Sequence, residues 1–212
     1  MESNASKATL DFNLQKPQPL FIVISGLSGV GKDAVIEELL KRGMPLHKVV
    51  TATTRAPRVN ERDGVDYHFL TKERFQEMIQ NNELIECALV YNDYKGVPRR
   101  QIQDAMASGL DVIMRVDVQG ARKFRELIPE ALLIFITPAN EQDWREMLLG
   151  RRTDTPEQIE RRITAAPGEL ALLPIFDYIV TNKRCCLGET VDKIISIITS
   201  EHMRNPHRKV NL

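Results

Sequence analysis

The stretch Leu20-Phe21-Ile22-Val23-Ile24-Ser25-Gly26-Leu27-Ser28-Gly29-Val30-Gly31-Lys32-Asp33 decides the fold. Leu20 to Ser25 is an almost continuous apolar run of strand length. A strand covered on both faces reads this way, because alternate side chains point to opposite sides and both must be apolar. Gly26 to Lys32 fits G-x-x-x-x-G-K. From Ala34 to Leu40 apolar and acidic residues recur at helical spacing, and Gly43 is a natural helix stop. In a strand–glycine loop–helix unit the loop N–H groups turn inward around a polyphosphate, the lysine neutralises its β and γ oxygens, and the helix dipole adds to both. Gly26, Leu27, Ser28, Gly29, Val30, Gly31 and Lys32 are therefore expected to hold the phosphates of a nucleoside triphosphate. Asp33 stands where the motif has the Ser or Thr hydroxyl that usually holds magnesium. A carboxylate is also a hard oxygen ligand, so Asp33 is the candidate for Mg2+ arriving with the nucleotide.

Outward from this unit, the pattern predicts strands over 84–91, 111–116, 131–137 and 177–180. Helices are predicted near 72–80, 119–127 and 141–149, and a last one over 187–203. Alternating strands and helices after an early glycine loop predict an α/β fold, a central parallel sheet flanked by helices, with ligands at the strands' C-terminal ends. Residues 51–95 break the alternation and read as a small α+β insertion, and the polar, Arg-rich stretch 150–162 interrupts it again. The expected organisation is an extension over 1–19, a core of 20–50, 96–149 and 166–203, the insertion 51–95, a lid over 150–165 and a tail over 204–212. For the basic segment from Arg204 to Lys209 the default expectation is a frayed, solvated end.

Composition sets outer limits. The chain has 212 residues, with 29 Lys+Arg against 29 Asp+Glu. A zero net charge argues against coating nucleic acid or an anionic membrane, yet leaves room for a small anionic ligand. Along the chain the charges are sorted: residues 61–93 carry 3 basic and 8 acidic side chains, and 95–125 carry 7 basic and 3 acidic. Cys87, Cys185 and Cys186 have no zinc-ligand spacing and no disulfide framework. The polar first 16 residues lack the apolar segment of a signal peptide, and no run reaches the length of a membrane span, so a cytoplasmic location is expected.

A second motif, Thr51-Ala-Thr-Thr-Arg55-Ala-Pro-Arg58 with Glu61, Gly64 and Asp66-Tyr67-His-Phe69, is more specific than the phosphate loop. With Leu84-Ile-Glu86, Val116-Asp117-Val-Gln-Gly120, Arg151 with Thr153-Asp154, Arg162 and Thr181-Asn182, it resembles guanylate kinase over roughly residues 20–200. The resemblance implies a P-loop kinase with an acceptor-binding insertion and a mobile lid, passing the γ-phosphoryl of ATP to GMP. It implies that Arg55, Arg58 and Tyr67 hold the GMP phosphate, that Glu86 and Asp117 read guanine, and that Thr51 touches the base. Arg151 and Arg162 are then lid arginines over the transferring phosphoryl group, and Asn182 lies near the adenine. Lys32, Arg55, Arg151 and Arg162 form the implied catalytic set. The chemistry agrees: paired arginines bind phosphate through charge-assisted hydrogen bonds, and a carboxylate accepts from the adjacent N1–H and N2–H2 of guanine, which adenine does not offer.

Five departures from the family pattern matter. Asp33 replaces the loop hydroxyl; Arg115 replaces the first acid of a D-x-D pair, leaving Asp117; Lys95-Gly96-Val97 stands for Y-G-[ST]; Arg152 replaces a glycine; and Pro167 falls inside the helix after the lid, where it is expected to kink or end it. Asp33 and Arg115 read as one relocated carboxylate, with Arg115 expected to pair with Asp33 or with phosphate. Lys95 is expected to meet the acceptor phosphate as a point charge. Val97 removes a hydroxyl, softening base discrimination by about 1–2 kcal/mol. Two competing readings follow from these departures: a kinase for another phosphorylated acceptor, such as ribose 1,5-bisphosphate or a different nucleoside monophosphate, and a non-catalytic binding module.

Overall fold

A computed structural model of the chain describes residues 18–59, 61–90, 92–150 and 155–210. Five parallel strands form the main sheet: β1 (Phe21–Gly26), β2 (Leu46–Lys48), β7 (Asp111–Arg115), β8 (Leu132–Pro138) and β9 (Tyr178–Asn182), in the order β2-β7-β1-β8-β9. The central strand β1 is buried along its whole length. Its alternation explains the unbroken apolar sequence. Ile22 and Ile24 enter one core layer with Val35, Ile36 and Leu39 of α1 (Lys32–Lys41), Trp144 and Leu148 of α5 (Glu141–Leu149), and Val191, Ile194 and Ile198 of α7 (Leu187–His202). Phe21 and Val23 enter the opposite layer with Ile102 and Ala105 of α3 (Arg99–Ala107) and Ala121 and Phe124 of α4 (Val118–Leu127).

The insertion builds a second sheet, ordered β4-β3-β6-β5, from β3 (Ala52–Thr53), β4 (His68–Phe69), β5 (Leu84–Val90) and β6 (Asp93–Pro98). Its small core joins Ala52, Leu84 and the Phe75 and Met78 side chains of α2 (Lys72–Gln80). Phe75 stacks on Tyr94 at 5.2 Å between ring centroids. Gly96 is required at that point: a Cβ there would meet Phe75 at 2.8 Å and the Glu86 carbonyl oxygen at 3.0 Å.

Two expectations are corrected. The helix after the lid, α6 (Pro156–Leu170), runs through Pro167 instead of ending there. Proline forfeits one N–H bond, but Pro167 lies in the last turn, and its own carbonyl still accepts from Ala171 N–H at 3.1 Å. The same helix occupies much of the stretch read as an interruption, opened by Pro156 and by a capping box between Thr155 and Gln158. The basic tail is also not simply a solvated end. Arg208 is 7% exposed, donating to Glu201 at 2.7 Å and lying 3.4 Å from Asp177.

Candidate active site

The phosphate loop is held from behind. Gly26 has φ of 142°, and a Cβ there would run into the Ile136 carbonyl of the neighbouring strand, so only glycine lets the chain leave β1 at this angle. Trp144 Nε1 donates to the Ser28 carbonyl at 2.8 Å. Asn182 Nδ2 donates to the Val30 carbonyl at 2.8 Å, while its Oδ1 accepts from the Thr190 hydroxyl at 2.8 Å. Leu27 and Val30 turn their side chains into the core, leaving their backbone to the loop. Lys32 Nζ curls back to the carbonyls of Gly26 and Leu27, at 2.8 and 3.0 Å. From α6, the Arg162 guanidinium reaches across to donate to the Ser28 hydroxyl.

Asp33, in the first turn of α1, is ion-paired with Arg115 at the end of β7. Arg115 also donates to the Asp66 carbonyl at 3.2 Å and lies 4.4 Å from the centroid of the Tyr67 ring. One guanidinium thereby joins the start of α1 to the segment that leads into β4.

In the connection between β3 and β4, Glu61 organises the arginines. It accepts from the Arg55 guanidinium at 2.9 Å and from the Arg58 backbone N–H at 2.8 Å. Arg55 lies 5.4 Å from the Tyr67 centroid. Burial pushes the Tyr67 hydroxyl above its ordinary pKa, although the neighbouring Arg55 and Arg58 charges oppose this. The phenol therefore keeps its proton and remains a donor near neutral pH.

The two acids read as base-recognising sit beyond these cations. Asp117 caps α4, its Oδ1 accepting from Gly120 N–H at 2.9 Å, and its Oδ2 lies 3.9 Å from Lys95 Nζ. Glu86 is almost wholly buried, with Lys123 Nζ 3.1 Å from its Oε1. Burial pushes Glu86 up, and Lys123 pulls against it. Burial also pushes the Lys95 ammonium down, with Asp117 opposing.

A cavity of about 800 Å3 joins the two halves. Lys32, Asp33, Thr51, Arg55, Arg58, Tyr67, Glu86, Lys95, Asp117 and Arg162 all line it, as do Gly26, Ser28 and Gly29. Leu27, Val30, Gly31 and Asn182 are not on its wall. Asn182 is 6% exposed and acts on the loop from behind. Arg151 lies outside the described residues, as do Arg152, Thr153 and Asp154.

The guanylate kinase family model matches residues 18–201. The chain belongs to the guanylate kinase family. It is a nucleoside monophosphate kinase, and its reaction is phosphoryl transfer from ATP to GMP. It is 46% identical over 197 residues to "Guanylate kinase 2, chloroplastic/mitochondrial" of Oryza sativa subsp. japonica, covering 92% of this chain and 69% of that protein. A guanylate kinase of Halalkalibacterium halodurans is 40% identical over 191 residues, 90% of this chain and 93% of the other. Among solved structures, guanylate kinase from Anaplasma phagocytophilum superposes with a TM-score of 0.70 at 31% identity, over 90% of this chain and 89% of that one.

Two residues of this guanylate kinase escaped the sequence reading. Glu169 lines the cavity from α6; burial pushes its carboxyl up, with Lys32 opposing. Its signal was present, since Arg162, Ala165 and Glu169 recur at helical spacing on one face. Lys123 had no such signal, for it lies on α4 and its partner Glu86 on β5 of the second sheet. Among the described residues no helix is long and apolar enough to cross a membrane.

Proposed function

We propose that the cavity divides the work of this guanylate kinase as follows. Arg55, Arg58 and Tyr67 hold the GMP phosphate, and Lys95 adds a further positive charge beside them. Glu86 and Asp117 accept from the guanine edge, with Thr51 beside the base. The loop from Gly26 to Lys32 holds ATP, with Asn182 fixing the loop at the nucleotide end. An oxygen of the GMP phosphate attacks the γ-phosphorus; the bond to the β–γ bridging oxygen breaks, and ADP leaves with that oxygen's charge. Lys32 and Arg162, together with Arg151, offset charge on the equatorial and bridging oxygens as it develops. Segment 150–165 acts as the lid, whose closure keeps water from the phosphoryl group.

One observation carries this reading: a single cavity is lined by Lys32 and Arg162 together with Arg55, Tyr67 and Glu86. The donor set also fits magnesium delivered by the nucleotide. Among the described residues no group of three or more His, Cys, Asp or Glu could hold an ion alone, and Mg2+ in phosphoryl-transfer sites takes one or two carboxylates beside phosphate oxygens and water. Asp33 is the carboxylate in that place. When bound, Mg2+ neutralises charge on the β and γ phosphates. The free thiols of Cys87, Cys185 and Cys186 support a reducing, cytoplasmic setting, and the balanced charge supports free nucleotides over nucleic acid as partners.

The test is an acceptor panel of GMP, dGMP, IMP and AMP with MgATP, for the native chain and Glu86→Gln. Turnover confined to the guanine and hypoxanthine nucleotides, with GMP KM raised in Glu86→Gln, is the expected result. Equal use of AMP would overturn the assignment of Glu86 and Asp117.

A further inference from the structure

Glu86 poses a physical problem. Its carboxylate side chain is 5% exposed, and a buried carboxyl favours its neutral form unless a cation or donors hold the charge. The neutral form is the wrong one for guanine: it presents an O–H where the base already presents N1–H and N2–H2. The groups facing Glu86 are Lys123 of α4, Asp117 at the N-cap of that helix and Lys95 of β6. Asp117 is a second negative charge, so it favours protonation of Glu86. Lys95 lies 3.9 Å from Asp117 and is partly neutralised there. Lys123 alone contacts Glu86 directly among these, at 3.1 Å, and its ammonium also donates to the carbonyl of Cys87, the next residue on β5. This second anchor fixes the ammonium against the backbone of the strand that carries Glu86. Meanwhile Val97, the cross-strand partner of Glu86, offers no hydroxyl, so more of the base recognition falls on the carboxylate.

We propose that Lys123 is a positioning residue for guanine recognition, clamping the Glu86 carboxylate to β5 in the ionised state that accepts from the base. The inference rests on the assignment of Glu86 to the guanine edge and adds the group that makes Glu86 competent. It also gives a role to the sorted charges of the sequence, since Lys123 belongs to the basic stretch and Glu86 to the acidic one.

The experiment measures GMP KM and kcat for native protein, Lys123→Met, Lys123→Arg and Glu86→Gln across about pH 5 to 9, a span that brackets a raised carboxyl. Carbon-13 NMR of labelled glutamate carboxyls follows Glu86 in the same proteins without nucleotide, its resonance identified by loss in Glu86→Gln. Lys123→Met is expected to raise GMP KM about tenfold at neutral pH, the scale of one charge-assisted hydrogen bond, with the effect carried in KM more than kcat. The loss should shrink toward alkaline pH as Glu86 ionises unaided, its NMR titration should move upward, and Lys123→Arg should restore both. A Glu86 titration unmoved by Lys123→Met, or a KM defect equal at every pH, would overturn the role of Lys123. If Glu86→Gln itself leaves GMP KM unchanged, the assignment of Glu86 fails first, and the role of Lys123 falls with it.

Discussion

Arg115 and Asp33 form an ion pair across the phosphate loop, the side chain of Arg115 being 14% exposed and that of Asp33 46%. A P-loop kinase of the usual pattern carries a hydroxyl and an acid at these two positions; this chain carries an acid and a cation. The same Arg115 touches Asp66 and Tyr67 of the acceptor motif, so the exchange also ties the donor side to the acceptor side. The pair is expected to behave as a unit. Asp33→Ser leaves a nearly buried guanidinium without its carboxylate, and Arg115→Asp places two acids together. Each single change should lower kcat/KM by roughly tenfold or more, and the double change should recover much of the loss, because contacting residues couple by about 0.5–3 kcal/mol. Magnesium-dependent turnover of all four proteins checks this. Simple multiplication of the two single losses would show that the positions act separately.

Lys95 gives a second prediction, through pH. Burial lowers the pKa of its ammonium, and the charges of Arg55, Arg162 and Arg58 lower it further against the opposing pull of Asp117. The cation that favours the acceptor phosphate is therefore present below this depressed pKa and lost as pH rises through it. GMP KM should climb on the alkaline side earlier than an ordinary lysine would cause. Lys95→Arg should abolish that climb, since a guanidinium stays charged. A profile that is the same in both proteins would remove Lys95 from acceptor binding.

How much of this was readable in advance depends on the range of the interactions. Leu20–Ser25 was legible because one strand must satisfy two core layers, and that demand is written into six consecutive residues. Asp33 and Arg115 were legible as a pair only because each broke a motif. By contrast β3 and β4 are two residues long each, too short to show a period, and β6 contains Gly96 and Pro98, which strands disfavour. Its glycine answers to Phe75 and Glu86, contacts that exist only after folding. Helix α6 left a local signal in Thr155-Pro156-Glu157-Gln158, a capping box with proline at the first position, obscured by the arginines around it. Lys123 is 37 residues from Glu86, and nothing short of the assembled sheets reveals that contact.

The C-terminal segment supplies a stability prediction. Burial alone would raise the Glu201 carboxyl, but hydrogen bonds from Arg208 and Tyr178 outweigh it and hold the group below its ordinary range. A carboxyl lowered on folding adds stability above its unfolded pKa, and that share is lost as pH falls through the folded value. Arg208→Ala leaves Glu201 buried with Arg204 at 3.8 Å and Tyr178 as partners. It should cost about 3 kcal/mol, the lower end for breaking a buried pair, or roughly 6–12 °C in Tm for a chain of this size. Thermal unfolding at neutral and acid pH measures it, and the gap between the two proteins should narrow in acid. A Tm unchanged at neutral pH would mean that the tail adds nothing to the fold.

The last prediction separates two roles for Asn182. Its amide bridges the Val30 carbonyl and the Thr190 hydroxyl, so an effect on ATP is expected to pass through the shape of the loop. Thr190 is 1% exposed and is not on the cavity wall. Thr190→Val keeps the volume, removes the hydroxyl and leaves Asn182 Oδ1 without its 2.8 Å donor. If Asn182 works by holding the loop, Thr190→Val should raise ATP KM in the same direction as Asn182→Ala, by severalfold, in keeping with about 1 kcal/mol for one lost buried hydrogen bond. The GMP KM should change less than the ATP KM in both variants. ATP and GTP as competing donors then resolve the alternative. A residue that touches adenine changes the ATP-to-GTP preference when replaced, whereas a residue that shapes the phosphate loop weakens both donors alike, because their phosphates are the same.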